Sequence, residues 1–120
     1  MTTSPTQRSL KWLRQRGFTA AITERWNPHA KVRQDLFGFI DIVALGLYGI
    51  TAIQTTSGNN VAARISKIRD LPAAKTWLDS GGMIRVHGWR KVGARGARKL
   101  WECRETTLEL RDGEIQEVEV

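Results

Sequence analysis

Asp41 lies in an apolar run rich in β-branched residues, Phe39 to Leu45, directly between Ile40 and Ile42. A carboxylate there is poorly tolerated unless it is paired or metal-bound. A second such run, Ile50 to Thr56, follows after Gly46-Leu47-Tyr48-Gly49, so the two read as a β-hairpin. Centring the turn between Leu47 and Tyr48 opposes Asp41 to Gln54 on one face, and the period of two puts Thr56 on that same face. A carboxylate, an amide oxygen and a hydroxyl then converge, and the carbonyl of Thr55 offers a further oxygen. That donor set suits Mg²⁺ or Mn²⁺, hard ions that keep several waters and leave places for a phosphate and an attacking water. The spacing of Asp41 and Gln54 alone is a weak signal; the register, the buried acid and the surrounding positive charge strengthen it.

The flanking elements must hold this hairpin in place. Ser4-Pro5 opens a helix with an apolar stripe of Leu10, Trp12 and Leu13, basic elsewhere, stopped by Gly17. Phe18 to Trp26 reads as the first strand, with Phe18, Ala20, Ile22 and Glu24 on one face. Glu24 is either a further ligand or, preferentially, an ion-pair partner of Arg25 or Lys31. Asn27 to Arg33 reads as a polar loop, with His29 at the surface. Thr56 to Asn60 supplies an N-cap for a helix from Val61 to about Arg69, which buries Val61, Ile65 and Ile68. Pro72 to Asp79 reads as a short helix anchored by Trp77 and Leu78 and stopped by Gly81-Gly82. Met83 to Trp89 is the next strand, where His87 and Arg85 read as a solvent-facing pair or a phosphate contact. Arg90 to Lys99 is a glycine-punctuated basic loop bracketed by Trp89 and Trp101, both expected to plug the core. Leu100 to Leu110 and Glu114 to Val120 close the chain as a hairpin over Asp112-Gly113.

Length and composition fit one α/β domain over residues 1–120, a mixed central sheet flanked by helices in the order α-β-β-β-α-α-β-β-β. The apolar content of 41% indicates a globular chain, and no apolar run approaches the ~20 residues of a membrane span. Neither a secretory leader nor a small-molecule cofactor is expected. A lone cysteine, Cys103, fits a reducing cytosol and excludes a multi-cysteine zinc site. Residues 1–99 hold 17 Lys/Arg against 5 Asp/Glu, whereas residues 100–120 hold 2 against 7. So lopsided a body suggests a polyanionic partner, with Arg33, Arg64, Arg90, Lys91, Arg95, Arg98 and Lys99 as candidate nucleic-acid contacts. The bland alternative is a basic surface that serves solubility only.

The element order and its Asp-bearing and Gln-bearing strands resemble the core of the PD-(D/E)XK nuclease superfamily over roughly residues 5–89. The nearest likeness is to its Holliday-junction-resolvase-like and virus-type replication-repair branches. Asp41 matches the family's first acid, and Gln54-Thr55-Thr56 stands where the family has Glu-x-Lys. The resemblance implies a restriction-endonuclease-like fold and a Mg²⁺- or Mn²⁺-dependent DNA endonuclease acting on branched or structured DNA. It implies Asp41 and Gln54 as metal ligands. It also implies cytoplasmic action in a bacterial or phage-infected cell, with a homodimer expected. Gln for Glu removes a charge, and Thr56 for Lys removes a cation; Lys67, on the following helix, is the candidate replacement. Asp35 could restore a carboxylate to the site. The rival expectations are a catalytically decayed fold that binds DNA or a partner, and an RNA-binding or ribosome-associated domain.

Overall fold

A computed structural model of the protein describes residues 3–118. Helix α1 (Pro5–Gln15) starts as its caps require: the Ser4 hydroxyl accepts from the Gln7 N–H, and Pro5 takes the first turn. The chain reverses at Gly17, whose φ of 88° lies in the left-handed region. Strand β1 (Thr19–Ile22) then pairs antiparallel with β4 (Ile42–Gly46), which pairs with β5 (Gly49–Ser57) across a two-residue turn. The observed register, Ile42 opposite Ile53 and Gly46 opposite Gly49, is the one the turn centre predicts.

A short 3-10 turn, Gly58–Asn60, leads into α2 (Val61–Arg69) and α3 (Pro72–Asp79), and these return the chain to β6 (Met83–Val92), parallel to β5. Asn60 sits at the N-cap of α2 but makes no side-chain capping bond. Strands β7 (Leu100–Arg111) and β8 (Glu114–Val118) complete a mixed six-stranded sheet, ordered β1-β4-β5-β6-β7-β8. The β7–β8 turn has positive φ at both Asp112 and Gly113, as an Asp-Gly hairpin demands. The end of the last expected strand, residues 119–120, lies outside the described residues.

Helix α1 covers one face, packing Leu10 and Leu13 on Ala20, Ile42, Ala44 and Ile53. Helices α2 and α3 cover the other, with Val61, Ile65, Ile68 and Ala74 against Ala52, Ile84, Val86 and Leu108. The fold is therefore α/β, with three helices on a mixed six-stranded sheet. Gly88 allows the close seat of α2: a Cβ there would lie 2.4 Å from Val61 Cγ2.

Four local expectations change. The strand expected from Phe18 to Trp26 breaks at Thr23–Glu24, because both their N–H groups converge on the Asp41 carbonyl, at 2.8 and 3.4 Å. Beyond the break, β2 (Arg25–Asn27) pairs with β3 (Val32–Gln34) as a separate two-stranded flap, although a loop was expected over Asn27 to Arg33. Phe39 and Ile40 are fully buried but precede the strand, in a tight turn closed between Leu36 and Ile40, and Asp41 follows that turn just ahead of β4 rather than sitting within a strand. The expected loop from Arg90 to Lys99 shrinks to residues 93–99, since β6 and β7 pair out to Val92 and Leu100; Arg90 and Lys91 are strand residues.

Candidate metal and nucleic-acid site

The core of the site is a place where the sheet runs out. Asp41 donates its N–H to the Ile53 carbonyl (2.9 Å), but the chain before it turns away at Ile40. Strand β5 continues, so the Thr55 N–H has no strand opposite it. The Asp41 carboxylate fills that gap: Oδ2 accepts from the Thr55 N–H (2.8 Å), the Thr55 hydroxyl (3.1 Å) and Gln54 Nε2 (2.8 Å). The Thr55 hydroxyl also meets the Thr6 hydroxyl of α1 at 2.7 Å, tying the helix N-terminus to the site. Thr55 thus reaches Asp41 through its N–H and its hydroxyl.

Asp35 and Glu24 complete the cluster. The tight turn after β3 swings Asp35 inward, where Gln54 Nε2 also donates to it at 3.3 Å. The break after β1 swings Glu24 inward, and one oxygen from each of Glu24, Asp35 and Asp41 lies within 4.8 Å of the others. Three of the five acids in residues 1–99 therefore meet at one spot, in a body carrying 17 basic residues. Burial, a hydrogen bond shared with Asp35, and the charges of Asp35 and Glu24 push the Asp41 carboxyl up to about 8, although the Thr55 N–H favours its ionised form. Gln54 is 2% exposed, and its Oε1 is a buried atom without a hydrogen-bond partner.

These groups line a cleft of ≈ 950 Å³, walled by the β3 end, the C-terminal end of β5 and the exposed face of α2. Thr56 lines it, as do Arg33, Arg64 and Lys67. Lys67 reaches back over the hairpin to Asp35, Nζ to Oδ2 3.8 Å. Glu24 pairs with Arg33 at 3.4 Å rather than with Arg25 or Lys31, because the flap sets Arg33 beside it. Of the remaining basic candidates, Arg90 pairs with Glu102 at 3.5 Å, Lys91 sits over the Trp101 ring, and Arg95, Arg98 and Lys99 are exposed in the 93–99 loop. Glu24 was legible only as one acid among five in a basic body; nothing in the sequence marks Thr6.

His87 departs most from expectation. It is fully buried rather than solvent-facing, with Nδ1 at 2.9 Å from the Ser9 hydroxyl and Nε2 at 2.8 Å from Glu105. Trp89 Nε1 donates to the same Ser9 hydroxyl at 2.8 Å, and Trp12 packs edge-on to the imidazole. Ser9, His87 and Glu105 have the composition of a hydrolytic triad, yet Ser9 is fully buried, so the network fastens α1 to the sheet. Trp89 is a core residue as expected, whereas Trp101 is 43% exposed. No helix among the described residues is long and apolar enough to cross a membrane. Compared with family models, with curated proteins and with solved structures, the chain matches none of them.

Proposed function

We propose that the protein is a metal-dependent endonuclease whose cleft cuts a phosphodiester of DNA, in the manner of the restriction-endonuclease-like nucleases it resembles. The observation that carries this is the convergence of Glu24, Asp35 and Asp41 beside the Gln54 amide, whose Oε1 has no partner, within a basic cleft. Three carboxylates and an amide oxygen are hard donors, and together they fit Mg²⁺ or Mn²⁺. Turning the Gln54 amide over exchanges Nε2 for Oε1 beside Asp41 and Asp35, so the side chain can serve a bound cation without moving its backbone. A divalent ion held there supplies a polarised phosphoryl oxygen and a water of lowered pKa. Asp41 must release its proton to bind, while Lys67 and Arg64 line the same cleft and can hold the negative charge of the phosphate. Lys67 takes the place of the cation that Thr56 cannot provide.

One observation favours a second reading. Gln54 Nε2 donates to both Asp41 and Asp35, and Lys67 pairs with Asp35, so the acid cluster is closed by its own side chains. A decayed nuclease fold that binds DNA without cutting it would keep this arrangement. The deciding experiment is to incubate branched DNA with the protein and Mg²⁺ or Mn²⁺, alongside Asp41→Asn. Cleavage by wild type alone supports the endonuclease; DNA binding with no cleavage under either metal supports the binding module.

A further inference from the structure

Two exposed indoles stand near the acid cleft without lining it, and a cation accompanies each. On one side, Trp26 is 57% exposed on the β2–β3 flap, directly opposite Arg33, which lines the cleft. Two residues past Asp35, Phe37 is 60% exposed and holds a φ of 54°, a left-handed conformation rare for a bulky side chain. On the other side, the Arg8 guanidinium lies 3.8 Å from the centre of the Trp101 ring, and Lys91 Nζ lies 5.4 Å from it.

The register relates Trp101 to the cleft. Ser57, which lines the cleft, stands opposite Trp89, and Trp89 stands opposite Cys103. Trp101 lies two residues beyond Cys103, toward the basic 93–99 loop, so two strand spacings across the sheet and two residues along the strand put it about 12 Å from the cleft rim. Arg8 comes from the same end of the helix whose Thr6 touches Thr55 in the site. Trp101 therefore sits at the end of the sheet that holds the acids, and Trp26 stands beside the cleft-lining Arg33.

Single exposed apolar residues are ordinary on a protein surface. An exposed indole with a guanidinium laid on it, at the same end of the sheet as a basic cleft, is a different object. Duplex bases stack on one another and hide their faces, so a duplex is held through its phosphates. An unpaired base presents its face to an aromatic ring while its phosphate meets the neighbouring cation. We infer that the cleft takes a nucleic-acid strand with unpaired bases. Trp26 and Trp101 stack nucleobases on either side of the acid cluster, and Arg33 and Arg8 hold the adjoining phosphates. This deepens the nuclease reading and rests on it for the role of the cleft, while the excess of positive charge over residues 1–99 selects a polyanion over a second copy of the chain.

The test is fluorescence anisotropy in EDTA, so that binding is read without cleavage. The probes are a labelled single strand on the order of 15 nucleotides and a blunt duplex of the same length. Wild type should bind the single strand more tightly than the duplex. Trp101→Ala and Trp26→Ala should each weaken single-strand binding about five-fold or more, on the scale of one lost stacking contact, and change duplex binding less than about two-fold. Trp101→Phe should keep most of the affinity. Equal losses for both probes, a preference for the duplex, or dimerisation abolished by either alanine variant would overturn the inference. Cleavage with no strand preference would overturn it and leave the nuclease reading standing; single-strand binding without metal-dependent cleavage would do the reverse.

Discussion

Replacing Asp41 by Asn should make the metal-free protein more stable at neutral pH. In the unfolded chain Asp41 titrates at its ordinary 3.8, whereas in the fold it keeps its proton up to about 8. Folding at pH 7 therefore obliges an ionised carboxylate to take up a proton. At about 1.36 kcal/mol per pH unit above 3.8, that uptake costs about 4 kcal/mol. Asn is the neutral isostere of the protonated acid: its Oδ1 can accept from Gln54 and Thr55, and its amide can donate to Asp35. The expected gain at pH 7 is a few kcal/mol, with about 4 as its ceiling, or a Tm rise on the order of 10 °C for a domain of this size. The sign follows from a folded pKa raised above the unfolded one. The contribution of Asp41 to stability is full below pH 3.8 and is lost as pH rises toward about 8. The gap between variant and wild type should thus be absent near pH 4, widen up to pH 8 and then level off. Urea denaturation in EDTA across that range measures it. Asp41→Ala is the control, because it strands the Thr55 N–H and takes one partner each from Gln54 Nε2 and the Thr55 hydroxyl, and should fall below Asp41→Asn by about 2 kcal/mol. An Asp41→Asn protein no more stable than wild type at pH 7, or a gap that ignores pH, would mean that the fold does not hold the Asp41 carboxyl protonated.

Mn²⁺ should raise the Tm of wild type more at pH 8 than at pH 6, since a proton must leave Asp41, and should leave Asp41→Asn unmoved; equal shifts in the two proteins would place the ion elsewhere. On branched DNA with Mg²⁺ or Mn²⁺, Lys67→Ala should lose ~100-fold in rate, and Thr56→Lys in that background should recover part of it; an unchanged rate removes Lys67 from the chemistry. DNA affinity should fall steeply with salt, and reversing Arg95 and Arg98 to Glu should weaken it without lowering Tm, both side chains being exposed; salt-indifferent binding would contradict the electrostatic picture. Burial opposes the ionised form of Glu105, yet the bond from His87 with the charges of His87, Arg85 and Arg16 holds it below 4.5, so its stabilisation is present above 4.5 and lost as pH falls through the lower folded value. Glu105→Gln should therefore destabilise at pH 7, and denaturation should find that deficit closing in acid.

Whatever depends on neighbours along the chain is legible in the residues alone. Ser4-Pro5 and Gly17 bound α1, the Gly46–Gly49 turn sets the β4–β5 register, and that register brings Gln54 to Asp41. Period two and period 3.6 are local properties, so the apolar faces of the hairpin, α1 and α2 were legible without tertiary information. Tertiary structure decided where the ladder ends. Because the chain leaves the sheet at Ile40, the Thr55 N–H turns to a side chain, Thr23 and Glu24 crowd onto one carbonyl, and the strand breaks into the flap. That break brings Glu24 and Asp35 to Asp41, and no spacing in the sequence encodes it. His87 likewise alternates with Arg85 on a strand that reads as half-solvated. Its burial follows from α1 crossing that face, which supplies Trp12 and, from 78 residues away in the chain, Ser9, with Glu105 coming from β7. Local patterning tells a strand which residues share a face; only the packing of distant elements tells that face whether it meets water.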